Sequence, residues 1–254
     1  MRRLVIEEPH SKAAVLSYRL ALFALFVAVL AVIGIKSPPD LITVLGAVAA
    51  MAIVAAVAAL LAFLIIWHNG HPGAGQAFAG LALAALLLAY PAYLARQSIR
   101  LPRLYDISTD IADPPYFSLS RAAIAARGDA TPPSMPLAAR RPQLKVYPQV
   151  QPILLDLDGE ESFAAVLKAV TANGWRMVEQ RAPGGRLGLG HVDAIAKSLI
   201  LGFPSDITVR LRPLPSQTRI DIRSVSRFGP YDFGAGARNI ASFESALDEI
   251  VNQK

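Results

Sequence analysis

Three apolar stretches in the first 95 residues constrain this chain more than any other feature of its sequence. They run from Leu20 to Ile35, from Leu41 to Trp67 and from Ala77 to Leu94. A helix needs about 17 to 25 apolar residues to cross the hydrocarbon core of a bilayer, and the first stretch is at the lower limit of that range. The sequence therefore predicts three transmembrane helices, at about 18–35, 41–67 and 77–95.

The composition divides the chain into a membrane region and a more polar region. Hydrophobic residues make up 54% of the chain and charged residues 17%, and most of the charged residues follow Arg96. Nine prolines between Leu101 and Pro152 oppose long helices and continuous strands. We therefore predict a membrane region over 1–96, a proline-rich linker over 97–152 and a soluble domain over 153–254.

The basic residues that flank the apolar stretches bear on membrane orientation. If the N-terminus is cytoplasmic, four of these residues lie inside the cell (Arg2, Arg3, Lys12 and Arg19) and four lie outside (Lys36, Arg96, Arg100 and Arg103), so the count favours neither orientation. The first helix usually determines the orientation of the whole chain, and long domains cross the membrane regardless of charge. A cytoplasmic N-terminus is therefore favoured. Three spans then predict an inner-membrane protein of a bacterium, with its soluble domain in the periplasm at the cell envelope.

Several classes of function and site are not expected. The chain has no cysteine, which excludes disulfides and thiolate chemistry. From Arg96 onward, the chain has 20 basic and 16 acidic residues, which gives a net charge of +4. Because the two signs are interspersed along the sequence, no nucleic-acid partner is predicted. His191 stands alone in the soluble region, and no metal or other cofactor is predicted. Asp106, Asp110 and Asp113 lack the spacing of a calcium loop and are interpreted as turn formers.

The soluble region reads as a helix, four antiparallel strands and a second helix. Phe163, Val166, Leu167 and Val170 recur at the helical spacing, and a final helix is predicted from about Ala235 to Val251. The segment from Asp206 to Arg212 alternates apolar and polar residues, as a half-buried strand does. The predicted fold is thus an α-helical membrane region followed by an α+β domain, a two-layer antiparallel sheet packed against helices.

The last two strands allow two pairing registers, because polar positions must share one face of the sheet. One register sets Asp206 opposite Arg223 and Thr208 opposite Asp221. The other sets Arg210 opposite Asp221 and Thr208 opposite Arg223. Both predict a ladder of mixed charges on the open face of the sheet, while Ser224 and Ser226 share the apolar face.

The sequence DIRSVSRFGPYDFG, from Asp221 to Gly234, resembles the signature of domain-of-unknown-function family 1499. That signature reads D-x-R-S-x-S-R-x-G-x-x-D-x-G, and every fixed position is present. The family continues with Asn-Ala-x-Arg-Ile, from which Gly236-Ala-Arg-Asn-Ile240 departs. Residues 106–110 and 114–117 also resemble the family, so the similarity covers about 105 to 250. It implies membership of the family and carries no activity.

The candidate site is a polar cluster in and around this signature. Its members are Asp206, Asp221, Arg223, Ser224, Ser226, Arg227, Asp232 and Arg238. The favoured interpretation is a structural network, in which Asp232 caps the last helix, Arg227 pairs with Asp232, and the strand charges pair with one another. The protein is then a binding or structural protein of the cell envelope.

Two alternatives remain for this cluster. Arg223, Arg227 and Arg238, with the backbone amides of 234–237, form a candidate site for an anionic lipid headgroup or an acidic envelope component. The alternative to a binding or structural protein is a membrane-tethered, hydrolase-like enzyme that uses the Asp, Arg and Ser residues of 221–232. The serines lack a nucleophile-elbow sequence, so no catalytic residue is assigned and an enzyme is less expected.

Overall fold

The structure is a computed structural model in which the chain forms two compact units, residues 1–96 and 97–254. It describes residues 11–35, 37–129, 131–132, 134–184, 188–198, 201–227 and 231–252. The predicted Gly229-Pro230 turn lies outside the described residues. So do Arg2, Arg3 and Lys36, which entered the orientation count.

The first unit contains three long apolar helices. They are α1 (Lys12–Gly34), α2 (Pro38–Asn69) and α3 (Ala74–Arg100), whose last turn continues into the second unit. Each is long and apolar enough to cross a membrane, with mean hydropathies of 2.3, 2.9 and 1.9 over the most apolar windows. Large side chains such as Phe26, Leu64 and Trp67 are 59%, 67% and 92% exposed, which suits a surface that faces lipid.

Small residues lie where the three helices approach one another. The buried residues here are almost all alanine: Ala14, Ala21, Ala52, Ala55, Ala62, Ala77 and Ala84. Ser17 of α1 is fully buried, and its Oγ donates a hydrogen bond of 2.9 Å to the carbonyl oxygen of Ala55. Gly46 and Ala50, two small residues four positions apart in α2, are both exposed. Close packing instead depends on Ser17 and on Gly80 of α3.

Gly80 gives the first testable prediction. A Cβ at this position would lie 2.2 Å from Ser17 Oγ and 2.9 Å from the Ser17 carbonyl carbon, so Gly80→Ala forces α1 and α3 apart. We expect it to destabilise the helix bundle by about 1 to 3 kcal/mol, measured by thermal unfolding of the full chain in detergent. Gly46→Ala is the matched control, because nothing lies within 4 Å of its Cβ position. Equal unfolding temperatures for both variants would contradict the packing described here.

The second unit is an α+β domain built on an antiparallel sheet. The strands are β1 (Asp106–Ser108), β2 (Ile153–Leu155), β3 (Arg176–Arg181), β4 (Gly190–Lys197), β5 (Pro204–Pro213) and β6 (Thr218–Ser226). The sheet order is β1-β6-β5-β4-β3, and β2 also pairs with β6. The predicted antiparallel sheet packed against helices is confirmed, with β1 and β2 as short strands that were not predicted.

Two amphipathic helices cover the apolar face of this sheet. They are α7 (Gly159–Ala172) and α8 (Ala235–Asn252). Asp158 caps α7 by accepting hydrogen bonds from the amides of Glu160 and Glu161, and Gly174 follows the helix with a φ of +65°. The core combines alternate strand residues with one stripe of each helix: Val192, Ile207, Val209, Leu211, Ile220, Ile222, Val166, Val170, Ile240, Phe243 and Leu247.

The segment predicted as a linker is instead packed into the domain. It contains β1 and the short helices α4 (Arg121–Ala126), α5 (Leu137–Arg140) and α6 (Pro142–Val146). We call residues 109–146 the cover segment, because its described residues hydrogen-bond to the face of the sheet opposite α7 and α8. The prolines prevent long elements, as predicted, but a chain of short elements still forms a packed layer.

Candidate functional site

The polar face of the sheet is buried beneath the cover segment. Among the described residues, seven arginines and six aspartates form ion pairs here, and we call this set the polar layer: Arg127, Arg140, Arg210, Arg212, Arg219, Arg223 and Arg227 with Asp106, Asp110, Asp113, Asp193, Asp206 and Asp221. The sequence predicted an open face with exposed charges. The face is closed, because the cover segment supplies carboxylates and carbonyl groups that satisfy the arginines of the strands.

The register of β5 and β6 sets the positions of these charges. Arg210 pairs with Asp221, and Thr208 pairs with Arg223, which is the second of the two registers that the sequence allowed. In this register Arg210 donates to Asp221 Oδ2 from Nε at 3.1 Å and from Nη2 at 2.8 Å. Burial would lower the pKa of Arg210, but the carboxylates of Asp221 and Asp113 more than offset this effect and raise it.

Asp106 is the most heavily engaged carboxylate of the polar layer. It is fully buried, and Arg223 donates to both of its oxygens at 2.8 Å. Oδ2 also accepts from Arg140 Nη2 at 2.7 Å and from the amide of Met135 at 3.2 Å. Burial lowers the pKa of Arg140, an effect that Asp106 partly opposes. Through this one carboxylate, β1, β6 and the cover segment are joined.

A second group of charges involves Arg227, directly after β6, and Arg127, directly after α4. Arg227 donates to Asp206 Oδ2 at 2.8 Å and to Oδ1 at 2.6 Å, and Arg127 forms an ion pair with Asp193. The ring of Phe117 contacts two guanidinium groups, since the Cζ atoms of Arg127 and Arg223 are each 5.2 Å from its centroid. The predicted pairing of Arg227 with Asp232 is wrong, since Asp206 on the adjacent strand holds Arg227.

Asp232 and Arg238 lie at the start of α8, apart from the polar layer. Asp232 accepts hydrogen bonds of 2.8 Å from the amides of Gly234 and Gly236, which confirms the predicted cap. Burial raises the pKa of Asp232, although these amides act in the opposite direction. Arg238 is exposed and donates to the carbonyl oxygen of Phe233 at 3.0 Å. The three arginines of the predicted anion site therefore do not converge on the amides of α8.

The serines of the signature do not meet the histidine of this domain. Ser224 is buried on the helix-covered face, where its Oγ accepts a hydrogen bond of 3.1 Å from Asn239. His191 lies on the polar face, with Nε2 3.0 Å from Asp193 Oδ1 but without hydrogen-bond geometry. Because Ser224 and His191 lie on opposite faces of the sheet, they cannot act together as a nucleophile and its base. Ser226, at the end of β6, is half-buried, and its amide donates to the carbonyl oxygen of Tyr105.

Several members of the polar layer were not predicted as site residues. Asp110 does form the predicted turn, since its Oδ1 accepts from the amide of Asp113 at 2.9 Å, but its Oδ2 also accepts from Arg219 at 2.8 Å. Arg127, Arg140 and Asp193 carry no local pattern that marks them as partners of the sheet. The resemblance of residues 106–117 to the family was the one available signal that this segment belongs to the domain.

Comparison with known families agrees with the division of the chain into residues 1–96 and 97–254. The profile of a family described as protein of unknown function (DUF1499) matches residues 106–247. The chain belongs to this family. The match begins at Asp106, so the DUF1499 domain includes β1 and the cover segment as well as the sheet and α7. No curated protein matches the chain.

Removal of the Asp106 carboxylate should unfold the DUF1499 domain more readily. Asp106→Ala leaves Arg223 and Arg140 buried without their shared partner, and breaking a buried pair costs about 3 to 5 kcal/mol. Asp156→Ala is the control, because Asp156 is exposed, and a surface change of this kind stays within about 0.5 kcal/mol. Chemical unfolding of the full chain in detergent, followed by near-ultraviolet circular dichroism, measures both. A loss below 1 kcal/mol for Asp106→Ala would show that Asp106 does not hold the layer together.

The domain should also lose stability in acid. Hydrogen bonds from the hydroxyls of Ser120 and Ser118 lower the pKa of Glu179, although its partial burial opposes this. Burial would raise the pKa of Asp193, but His191 and the Ser118 amide reverse the effect and lower it. Both carboxylates therefore stabilise the fold above their ordinary pKa values of 4.5 and 3.8, and this contribution is lost as the pH falls through the lower folded-state values.

We expect the melting temperature of the full chain to fall between about pH 5 and pH 3, and Glu179→Gln to flatten part of that fall. The measurement is a series of thermal melts across this range. Glu249→Gln, which removes an acidic side chain in the last turns of α8, is the control and should leave the pH profile unchanged. A profile of Glu179→Gln that matches that of the wild-type chain would contradict the assignment.

Proposed function

We propose that this chain is an integral protein of the bacterial cytoplasmic membrane that holds a DUF1499 domain on the periplasmic side. The domain has a binding or structural role at the cell envelope. Its partners are the lipid bilayer around the three helices and an anionic group, either a lipid headgroup or an acidic envelope component. Each part of the proposal has separate support.

The membrane assignment is supported by the length and surface of α1, α2 and α3. Their buried side chains are small, whereas leucine, isoleucine and phenylalanine side chains are exposed along their length. A water-soluble unit would leave this apolar surface in contact with water, at a cost of roughly 25 cal/mol for each Å². A bilayer removes that cost.

The orientation is supported by the order of the helices. The first span usually sets the topology, and Lys12 and Arg19 lie at or near the start of α1. Three spans after a cytoplasmic N-terminus bring the DUF1499 domain to the other side of the membrane.

The signature residues carry the proposal of a binding or structural role. Arg223 binds Asp106, Arg227 binds Asp206, and Asp221 binds Arg210, so these charges join the strands of the sheet to one another. Asp232 caps α8. The signature thus builds the domain, and a ligand has to be recognised by other side chains.

A pair of topology reporters tests the orientation. Alkaline phosphatase fused after Lys254 should be active and a fluorescent protein fused there should be dark, because the former folds in the periplasm and the latter in the cytoplasm. Fusions after Gly70, between α2 and α3, should give the opposite result. A fluorescent, phosphatase-inactive fusion at Lys254 would overturn the periplasmic placement and leave the membrane assignment intact.

A further inference from the structure

A shallow groove lies on the α+β unit beside the start of α8. It has a volume of about 260 Å³, and its lining includes Leu101, Tyr147, Ala237, Arg238 and Ala241. The amides of Gly234 and Gly236 are already bound by Asp232, so the helix terminus itself is not open to an anion. A ligand in this groove would be recognised by side chains.

Two polar groups and one apolar group converge at Gly234, whose φ is +78°. A Cβ at this position would lie 3.1 Å from Arg238 Nη1, 3.3 Å from the hydroxyl of Tyr147 and 3.4 Å from Leu101 Cδ1. Burial, together with the nearby Asp232, raises the pKa of Tyr147 to about 12, so this hydroxyl keeps its proton and is available as a donor. A guanidinium and a hydroxyl held side by side match the oxygens of a phosphate group.

The charge of this region differs from that of the polar layer. Among the described residues, no carboxylate lies within ion-pair distance of Arg238 or Arg103, whereas every arginine of the polar layer has an aspartate partner. Arg103 instead donates to the hydroxyl of Tyr231 at 2.9 Å, with its guanidinium above that ring. Arg238 therefore brings to the groove a positive charge that no ion pair holds, and the nearby carboxylate of Asp232 is itself bound to backbone amides.

The lining of the groove begins directly after the apolar part of α3 in the chain. Its lining begins with Gln97, in the last turn of α3, and continues with Leu101, directly after the end of that helix. Each helical residue rises about 1.5 Å, so Gln97 and Leu101 lie within roughly 8 Å of Arg96 along the helix axis. The lining therefore begins within two helical turns of the apolar part of α3 along the chain, which favours a lipid phosphate as the ligand.

We propose that this groove binds the phosphate of an anionic phospholipid. Arg238 provides the positive charge, Tyr147 donates a hydrogen bond to a phosphate oxygen, and Leu101, Ala237 and Ala241 contact the glycerol and the first methylenes of the acyl chains. Of the three arginines that the sequence predicted to bind an anion, only Arg238 belongs to this site. Arg223 and Arg227 are held by buried aspartates, and the hydroxyl of Tyr147 provides the second polar contact. The inference rests on the membrane anchoring proposed above.

The test is lipid-dependent stabilisation of the full chain purified in a neutral detergent. Short-chain phosphatidylglycerol is titrated and thermal unfolding is recorded, with short-chain phosphatidylcholine and inorganic phosphate as parallel arms. Phosphatidylglycerol should raise the melting temperature of the wild-type chain at concentrations where the other two have little effect. Arg238→Gln should raise the concentration needed by about tenfold, and Tyr147→Phe by a few-fold, because each removes one contact to the phosphate.

Arg121→Gln is the matched control, because Arg121 is an exposed arginine at the start of α4 and outside the groove. It removes the same charge and should respond to phosphatidylglycerol as the wild-type chain does. Without lipid, all three variants should have the same melting temperature as the wild-type chain. If Arg238→Gln lowers the melting temperature without lipid, the phosphatidylglycerol titration of Tyr147→Phe tests the site instead, because that variant loses only one hydroxyl.

Equal titrations for wild type, Arg238→Gln and Tyr147→Phe would overturn the site. Stabilisation by inorganic phosphate at the concentrations that suffice for phosphatidylglycerol would overturn the lipid source and indicate a soluble anion. These outcomes are separable from a failure of the proposed function. The detergent titration does not depend on which side of the membrane the domain occupies, and membrane anchoring is tested independently by the reporter fusions.

Discussion

The pairing of Asp106 with Arg223 is the interaction on which the DUF1499 domain most depends. The two residues are 117 positions apart in sequence, and both are almost completely removed from water. Transfer of two charges into a protein interior costs several kcal/mol per ion unless hydrogen bonds satisfy both groups. Here Arg140 and the Met135 amide complete the shell of the carboxylate. The charges are therefore tolerable only when β1, β6 and the cover segment are all in place, which makes these parts fold as one.

The two faces of the sheet are consequently stabilised by different interactions, apolar packing on one face and ion pairs on the other. On one face, aliphatic residues of the strands pack against α7 and α8, and any well-packed apolar side chains would serve. On the other face, each arginine needs a carboxylate at a fixed distance and direction, so the polar layer fixes where the cover segment lies. An apolar contact tolerates sliding, whereas a bidentate contact such as that between Arg227 and Asp206 does not.

This difference explains what could be predicted from the sequence. The helical spans, the alternation of β5 and the cap at Asp232 depend on residues a few positions apart, and a local pattern is enough to identify them. The rule that polar residues of paired strands share one face of the sheet limited the pairing of β5 and β6 to two registers. Asp106, which binds Arg223, and Asp113, which binds Arg210 in addition to Asp221, lie about 100 residues away in a proline-rich segment without periodicity. No local rule connects them, so the sequence suggested a linker, an open charged face and a pairing of Arg227 with Asp232.

The start of α8 combines a tightly packed backbone with an exposed positive charge. The family continues its signature with Asn-Ala-x-Arg-Ile, whereas this chain has Gly at 236, Arg at 238 and Asn at 239. A Cβ on Gly236 would lie 2.8 Å from both Asp232 Oδ2 and Ile107 Cγ1, so this backbone has no room for asparagine there. Asn239 makes a polar contact to the sheet through Ser224, whereas Arg238 lies on the exposed side of the helix and lines the groove. Adjacent residues of a helix are rotated by about 100° from one another, so these two side chains leave the helix in different directions. The residues of the signature therefore join the strands of the sheet, while Arg238, directly after the signature, sets the charge of the groove.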